Sequence, residues 1–259
     1  MTLRDIHAKY HRGEKLVMVT CYDYASALLL DAAEVDMLLV GDSLGNTMLG
    51  FDTTLPVTLD DMVRHAAAVR RGAKQTFIVV DMPFLSYQVN AETALLNAGR
   101  ILQATGCEAV KLEGGQQIAP TVQKLVASGI PVMGHIGLTP QSVHAFGGYR
   151  TQGRDEESAR RLLADARSLE EAGAFSIVLE LVTAEVADEI TRSLAVPTIG
   201  IGSGPGCSGQ VQVFHDLLGL FPDRRYRHAR RYAEVGDAIL QAVRQYAEDV
   251  RTGRFPQSS

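Results

Sequence analysis

Four short apolar segments of this chain each end in an acidic residue, and this pattern limits the folds that the chain can adopt. They are residues 38–42, 77–81, 109–113 and 176–180, ending in Asp42, Asp81, Glu113 and Glu180. An unpaired carboxylate is costly to bury, so an acid at the end of an apolar strand belongs where the strand leaves the core. If these strands are parallel neighbours, their carboxylates gather at one edge of the sheet.

Strand-like segments alternate with helical patterns along the chain. Eight strands are predicted, at residues 16–21, 37–42, 77–82, 109–113, 131–136, 176–181, 197–201 and, with the weakest pattern, 210–214. Helices are predicted at residues 60–71, 91–105, 118–128, 156–172 and 183–193. Several of these end at a glycine, such as Gly72 or Gly106, which favours a left-handed helix cap. Eight βα units in 259 residues predict an α/β protein with a single (β/α)8 TIM barrel.

The composition shows no break that marks a second domain. Residues 1–259 are therefore predicted to form one barrel domain, with residues 222–259 as a C-terminal loop and helix packed outside the barrel. Residues 234–251 carry the helical periodicity of this extension. Five arginines precede the helix, namely Arg224, Arg225, Arg227, Arg230 and Arg231. We interpret them as a solvated face, with an anion-binding or subunit-contact surface as the alternative.

The charge and the cysteine content limit which kinds of partner and which cellular compartment are expected. The formal net charge of −5 gives no broad basic field for nucleic acid or an anionic membrane, so a small molecule is the expected partner. Three widely spaced cysteines favour a reducing compartment over a disulfide framework. The amino terminus lacks a signal-peptide pattern, and no apolar run reaches the length of a membrane span. A soluble, cytoplasmic protein is expected.

The four acids suggest two separate tasks at the mouth of the predicted barrel, where active sites of this fold lie. Asp42, Asp81 and Glu113 come from the second, third and fourth strands, and together they offer a divalent cation such as magnesium the oxygen ligands it prefers. Glu180 comes from the sixth strand, across the mouth, and could move a proton. The alternative for each acid is a helix cap.

Three further residues are candidates at the same mouth. Lys111 lies two positions before Glu113, so both side chains point into the lumen, where Lys111 could anchor a substrate carboxylate or stabilise an enolate oxygen. A plain salt bridge is the alternative. His135 could contact substrate or tune the site from a position behind it, or be structural. Ser43 offers a hydroxyl and a backbone N–H to a carboxylate oxygen.

Two glycine-rich loops complete the list of candidates. Residues 200–206 follow the seventh strand, where many barrels bind phosphate, which leaves a phosphosugar isomerase open as an alternative. The loop lacks the Lys-Ser/Thr ending of a Walker motif. Residues 147–150 are a candidate rim loop over the mouth.

Five long motifs in order identify a family resemblance. They are VGDSLG at residues 40–45, LPVT at 55–58, DMPF at 81–84, VKLEGG at 110–115 and MGHIGLTPQS at 133–142. Residues 200–202 and 215–219 continue the pattern. The chain resembles the 3-methyl-2-oxobutanoate (ketopantoate) hydroxymethyltransferase family over most of its length.

The resemblance implies a magnesium-dependent (β/α)8 enzyme similar to the phosphoenolpyruvate mutase and isocitrate lyase group. Such an enzyme transfers a hydroxymethyl group from 5,10-methylenetetrahydrofolate to 3-methyl-2-oxobutanoate through a Mg-bound enolate, giving 2-dehydropantoate for pantothenate biosynthesis. By resemblance, Asp42 and Asp81 are metal ligands, Glu113 is a ligand or is bridged by water, and Glu180 accepts the proton. Asp42, Ser43, Asp81 and Lys111 resemble the oxo-acid contacts. A homo-oligomer, in this family commonly a decamer, is also implied.

The chain departs from the family pattern at Leu85, Ser203 and Ser208, none of which belongs to the predicted metal set. Two of these departures flank the loop after the seventh strand, where folate-side contacts are expected. A magnesium-dependent carbon-carbon lyase or mutase acting on a related 2-oxo acid remains an alternative. So does a barrel that has lost catalysis and serves as a binding protein.

Overall fold

Eight parallel strands close into a barrel in the order of the sequence. The computed structural model describes residues 1–148, 150–223, 226 and 229–256. The strands are β1 (Leu16–Thr20), β2 (Met37–Val40), β3 (Phe77–Asp81), β4 (Ala109–Glu113), β5 (Val132–Gly137), β6 (Ser176–Glu180), β7 (Thr198–Ile201) and β8 (Gly209–Gln212). The amide of Leu16 donates to the carbonyl of Ser208, which joins the start of β1 to the start of β8 and closes the barrel. The predicted (β/α)8 barrel is confirmed.

The described residues also form eleven α-helices. They are α1 (Leu3–His11), α2 (Tyr24–Ala32), α3 (Leu44–Thr47), α4 (Leu59–Gly72), α5 (Ala91–Thr105), α6 (Ala119–Ala127), α7 (Val143–Phe146), α8 (Glu156–Glu171), α9 (Ala184–Ser193), α10 (Phe214–Leu217) and α11 (Val235–Arg251). Short 3-10 helices lie at Gln116–Ile118 and Pro140–Ser142. In the described part of the chain, none of the helices has the length and apolar character needed to cross a membrane.

Local sequence chemistry explains some helix ends and not others. Thr58 and Asp61 form a capping box that starts α4, and Gly106 ends α5 at a φ of 72°, as predicted. Gly72, in contrast, is the last helical residue of α4 and not its left-handed cap. A Cβ at Gly72 would lie 2.5 Å from the carbonyl oxygen of Tyr24, so this glycine permits α2 and α4 to pack closely.

The barrel interior is apolar at the amino ends of the strands and polar at the carboxyl ends. Its lower part is a buried cluster that includes Met37, Phe77, Val79 and Met133, and Ile6 of α1 joins it. Side chains alternate along a strand, so Asp81, which lies two residues after Val79, also points into the lumen. On the face of β4 that carries Ala109, the next two inward residues are Lys111 and Glu113, and on the face of β5 that carries Met133, the next is His135. The fold thus places charged side chains above the apolar core.

The chain divides into two compact units, Met1–Val211 and Gln212–Ser259. Within the second unit, Arg231 pairs with Glu234 at 2.8 Å, and the guanidinium of Arg230 lies 5.0 Å from the ring centre of Tyr232. The other arginines of the predicted cluster, Arg224, Arg225 and Arg227, lie outside the described residues. The packing of residues 222–259 outside the barrel stays a prediction.

Candidate active site at the carboxyl ends of the strands

Five of the seven predicted site residues form one buried charged cluster. They are Asp42 after β2, Asp81 at the end of β3, Lys111 and Glu113 in β4, and His135 in β5, each no more than 6% exposed. Adjacent strands supply them in chain order, as the barrel topology requires. The expected convergence of the first three carboxylates on one region of the mouth is therefore present in the structure.

Asp42 and Asp81 are in direct contact. The backbone N–H of Asp42 donates to Oδ2 of Asp81 at 3.0 Å. A Cβ at Gly41 would lie 2.8 Å from Oγ of Ser43 and 3.4 Å from Oδ2 of Asp81, so glycine makes room for this approach. Burial, together with repulsion from Asp81 and Glu113, raises the pKa of Asp42 well above its ordinary value. Burial also raises the pKa of Asp81, and the repulsion of Glu113 adds to it.

Lys111 is a buried cation within this acidic cluster. Its Nζ lies 3.0 Å from Oδ1 of Asp81 and 3.9 Å from Oε1 of Glu113. Burial alone would lower the pKa of Lys111, but the attraction of Asp81, Glu113 and Asp42 outweighs it and raises the pKa above its ordinary value. Lys111 is therefore an ammonium group suited to attract an anion, and a nucleophilic amine is disfavoured.

His135 connects the cluster to the neighbouring strand β6, at the end of which Glu180 lies. Its Nδ1 lies 3.0 Å from Nζ of Lys111 and 3.4 Å from Oε1 of Glu113. Burial and Lys111 lower the pKa of His135, yet the carboxylates of Glu113 and Glu180 prevail and raise it to about 9. The contact between two cations is repulsive, and the surrounding carboxylates offset it. Interaction with His135 in turn lowers the pKa of Glu113, against the effect of burial.

Glu180 stands apart from the cluster, at the end of β6. Its side chain is 18% exposed, and its Oε2 lies 3.4 Å from Nε2 of His135. Gly137 pairs with Glu180 across the sheet at a φ of 95°, and a Cβ at Gly137 would lie 2.2 Å from the carbonyl oxygen of Glu180. Leu181 follows with a φ of 48°, which is strained for a residue with a side chain. The backbone around Glu180 is thus tightly constrained.

Ser43 lies at the start of α3, directly after Asp42. Its hydroxyl and that of Tyr22 are 2.9 Å apart. This contact holds the Ser43 hydroxyl next to the residue that follows β2.

Two residues that sequence reasoning did not assign to the site are central to it. The amide of Gln141 donates to Oδ2 of Asp42 at 2.8 Å, and the backbone N–H of Gln141 donates to Oε2 of Glu113 at 3.0 Å. The hydroxyl of Tyr87 accepts a hydrogen bond from the backbone N–H of Glu113 at 3.1 Å. Gln141 belongs to the family motif at residues 133–142, so the sequence did indicate that it is important. Tyr87 lies in a loop outside the five motifs, and nothing in the sequence indicated a role for it.

The donor set fits a divalent cation held by few protein ligands. Burial first, and repulsion between neighbouring carboxylates second, raise the pKa of Asp42, and burial with repulsion from Glu113 raises the pKa of Asp81 against the attraction of Lys111. A divalent cation would favour the ionised form of both carboxylates. Magnesium commonly takes one or two carboxylates and completes its shell with water and substrate oxygens. Among the described residues, no three His, Cys, Asp or Glu side chains already surround one point as ligands. Asp42 and Asp81 could therefore bind the ion directly, with Glu113 in support.

The glycines after β7 have a packing role. A Cβ at Gly204 would lie 2.7 Å from Cβ of Ala184, and one at Gly206 would lie 2.9 Å from Oδ1 of Asp188. Close approach to α9 thus explains these glycines without phosphate. In the rim loop, Gly147 and Gly148 have positive φ, and Tyr149 lies outside the described residues.

The departures from the family pattern have structural roles of their own. The hydroxyl of Ser203 accepts a hydrogen bond from the N–H of Val182 and donates one to the carbonyl of Leu179. These two bonds hold the backbone at the end of β6. The hydroxyl of Ser208 accepts from the N–H of Thr198 at 3.2 Å. Leu85 is an exposed residue at a φ of 62° in the loop after β3.

A family model and several relatives match this chain over nearly its whole length. The family model described as ketopantoate hydroxymethyltransferase matches residues 1–258. Relatives named 3-methyl-2-oxobutanoate hydroxymethyltransferase occur in Chloroflexus aurantiacus and Ignicoccus hospitalis, and each is 57% identical over 256 residues, or 99% of this chain. The alignments cover 90% of the first relative and 97% of the second.

Solved structures with much lower identity share the fold. A complex of phosphonopyruvate hydrolase with oxalate and Mg²⁺ has a TM-score of 0.62 at 14% identity, covering 98% of this chain and 88% of that one. A 2,3-dimethylmalate lyase, described as a member of the PEP mutase/isocitrate lyase superfamily, has a TM-score of 0.60 at 19% identity, covering 99% and 90%. At these identities the likeness concerns the fold alone.

Proposed function

The chain belongs to the ketopantoate hydroxymethyltransferase family, and from this premise we propose that it transfers a hydroxymethyl group from 5,10-methylenetetrahydrofolate to 3-methyl-2-oxobutanoate, giving 2-dehydropantoate for pantothenate biosynthesis. The observation that carries the proposal is the buried cluster of Asp42, Asp81, Lys111 and Glu113 facing Glu180 across the mouth of the barrel. This arrangement separates a site for binding charge from a group that can move a proton.

Magnesium is the proposed cofactor, held by Asp42 and Asp81 with Glu113 in support. When bound, a divalent cation polarises a substrate carbonyl and acidifies the adjacent C–H. The fold neighbour phosphonopyruvate hydrolase was crystallised with oxalate and Mg²⁺, which supports this choice of ion for a small dicarboxylate or oxo acid.

Lys111 and Ser43 are proposed to bind the oxo acid together with the two aspartates. The ammonium of Lys111 is the cation that can pair with the substrate carboxylate or the oxygen that becomes negative on enolisation. The hydroxyl of Ser43, fixed by Tyr22, can donate to a carboxylate oxygen. These contacts orient the substrate with its C3 hydrogen toward β6.

Glu180 is proposed to remove the C3 proton. It is the most exposed carboxylate of the site, at 18%, and its contact with His135 orients it toward the centre of the mouth. The carbanion equivalent then forms a C–C bond to the methylene carbon supplied by the folate, and the barrel holds both reactants in line. The bonds between that carbon and the folate nitrogens break, a water molecule supplies the hydroxyl oxygen, and tetrahydrofolate leaves with the C3 proton and the remaining proton of the water. The reaction needs no covalent bond to the protein.

A magnesium-dependent carbon-carbon lyase or mutase is the alternative. Its support is the shared fold with 2,3-dimethylmalate lyase at 19% identity, against 57% identity to hydroxymethyltransferases over nearly the whole chain. The transferase is therefore the better supported function.

The decisive assay mixes the enzyme with 3-methyl-2-oxobutanoate, methylenetetrahydrofolate and Mg²⁺ and detects 2-dehydropantoate by mass spectrometry. Parallel reactions with 2-methylisocitrate and phosphonopyruvate test the lyase and mutase activities. Product that requires all three components supports the proposal. Cleavage of either alternative substrate without folate-dependent product would overturn it.

We further propose that the chain acts as a homo-oligomer, with a decamer as the state to test. Apolar residues of α11 are exposed in the single chain, namely Ile239, Leu240, Val243, Tyr246 and Val250. An apolar helix face of this kind commonly marks an interface. Sedimentation velocity at several concentrations measures the state, and a monomer throughout would refute the proposal.

A cytoplasmic location is proposed as well. Cys21, Cys107 and Cys207 are free and buried, which fits a reducing compartment. Fractionation of cells that express the protein with a terminal tag tests this location.

A further inference from the structure

The side-chain amide of Gln141 has four polar neighbours within hydrogen-bond distance. Its Nε2 donates to Oδ2 of Asp42 at 2.8 Å and to the carbonyl oxygen of Met82 at 2.9 Å. Its Oε1 lies 2.9 Å from the hydroxyl of Tyr87 and accepts from Nε2 of Gln88 at 3.0 Å. Both donor hydrogens of the amide are therefore engaged, and Gln88 engages one acceptor position of its oxygen. The single hydroxyl hydrogen of Tyr87 is shared between that oxygen and the carbonyl of Glu113, each 2.9 Å away.

These partners permit one orientation of the amide. In the flipped orientation, the Gln141 carbonyl oxygen would face the carbonyl of Met82, which has no hydrogen to donate, and the carboxylate of Asp42, which has none in the ionised form that binds a cation. The donors of Gln141 must therefore point at Asp42. Gln141 is only 6% exposed, so water cannot easily replace the lost partners.

Gln141 also contacts the second carboxylate of the cluster through its backbone. Its N–H donates to Oε2 of Glu113 at 3.0 Å. One residue, carried by the short 3-10 helix after β5, therefore touches an acid that follows β2 and an acid on β4. The Tyr87 hydroxyl reinforces this link, because it contacts the backbone of Glu113 as well as the Gln141 amide.

We propose that Gln141 is a positioning residue for the divalent cation, fixing the carboxylate of Asp42 so that Oδ1 is presented to the ion. The inference rests on the proposed metal site. Hydrogen-bonded partners of metal ligands orient them, and losing such a partner typically weakens metal binding about 10- to 100-fold. Gln141 does not touch the reacting atoms in this role.

A purely structural role, in which Gln141 only holds its loop in place, makes a different prediction. Loss of a structural residue lowers stability and turnover together, and added cation does not correct them. Loss of a positioning residue raises the cation concentration needed for half-maximal rate, while the rate at saturating cation is largely retained.

The test measures Mn²⁺ binding to the substrate-free enzyme by electron paramagnetic resonance, because bound and free Mn²⁺ give different signals. Gln141→Met removes the amide at similar length, and Gln141→Asn keeps an amide that is too short to reach Asp42. Gln152→Met is the matched control: it lies in the same β5–α8 connection, and its Nε2 donates to the carbonyl of Arg150 instead of a carboxylate.

Both Gln141 variants are expected to bind Mn²⁺ about 10- to 100-fold more weakly than wild type, with the control unchanged. The Mg²⁺ concentration for half-maximal rate should rise in proportion. Circular dichroism and a melting curve identify a variant that fails to fold, in which case the other variant decides. Wild-type affinity in a folded Gln141 variant overturns the inference alone, whereas a wild-type enzyme that binds no Mn²⁺ overturns the proposed metal site and the inference with it.

Discussion

Nε2 of His135 lies 3.4 Å from Oε2 of Glu180, and this contact joins the buried charged cluster to the carboxylate at the end of the neighbouring strand β6. The other ring nitrogen faces Lys111 and Glu113. With a pKa raised to about 9, His135 is a cation near neutral pH. Its positive charge therefore lies between the proposed cation-binding carboxylates and the proposed base, and it holds Glu180 on the lumen side of β6.

Glu180→Gln is expected to abolish most of the turnover while leaving the binding of cation and oxo acid intact. The amide has the shape of the carboxylate but cannot accept the C3 proton, and loss of a general base typically costs about 10²- to 10⁴-fold in rate. The direct measurement is exchange of the C3 hydrogen of 3-methyl-2-oxobutanoate into heavy water, followed by NMR. Exchange at the wild-type rate in the variant would remove Glu180 from this role.

Asp81→Asn is expected to weaken cation binding so far that added Mg²⁺ no longer restores full activity. The substitution keeps an acceptor for the N–H of Asp42 but removes one negative charge from the cluster. Calorimetry with Mg²⁺ measures the effect.

Asp165→Asn is the matched control for Asp81→Asn. Asp165 is a half-buried carboxylate that accepts from the N–H of Gln116, outside the cluster. Cation affinity should be lost in the first variant and kept in the second. Full activity of either the wild type or Asp81→Asn in the presence of a chelator contradicts the metal assignment.

The barrel and its acids were predictable because both depend on local pattern. Helix α5 has the predicted bounds, 91–105, since an Asn90 cap and Gly106 enclose it. Once the strands alternate with helices, chirality and closure bring Asp81, Lys111 and Glu113 to one mouth. No detail of side-chain packing is needed for that step.

Contacts that depend on tertiary approach were not predictable. Gly72 has the sequence context of a helix cap, but the reason for glycine is the backbone of α2 pressing on α4. Gln141 and Tyr87 reach Asp42 and Glu113 from separate loops, and nothing in strand periodicity indicates where a loop side chain will point. The pKa of His135 likewise depends on carboxylates from two other strands.

Gly137→Ala is expected to destabilise the protein by about 1–3 kcal/mol and to lower turnover. The backbone at Gly137 has a φ of 95°, and the added Cβ would meet the carbonyl oxygen of Glu180 at 2.2 Å, so the end of β6 must move. The same substitution at Gly99 is the control, because Gly99 lies inside α5 and an added Cβ there meets nothing within 4 Å. Gly99→Ala should be neutral or stabilising, since alanine favours helix. Urea unfolding measures both, and equal stability of the two variants contradicts the prediction.

Asp31→Asn is expected to lower the free energy of unfolding in a pH-dependent way. The carboxylate of Asp31, in α2, accepts hydrogen bonds from the N–H groups of Lys74, Gln75 and Thr76 and from the Thr76 hydroxyl. Burial is the largest single effect and raises the pKa, but the hydrogen bonds from Thr76, Lys74 and Gln75 together outweigh it and lower the pKa of Asp31 to about 2.

A pKa that is lower in the folded than in the unfolded state stabilises the fold above the unfolded value of about 3.9, and the stabilisation is lost as the pH falls toward about 2. Because the group is largely solvated, we expect a loss of only about 1 kcal/mol at neutral pH. The urea midpoints of wild type and Asp31→Asn should differ at pH 7 and converge between pH 4 and pH 2. Asp52 is exposed, so Asp52→Asn is the control, and its midpoint should follow that of wild type at every pH. A difference that persists unchanged down to pH 2 would mean that the charge of Asp31 is not what joins α2 to the start of β3.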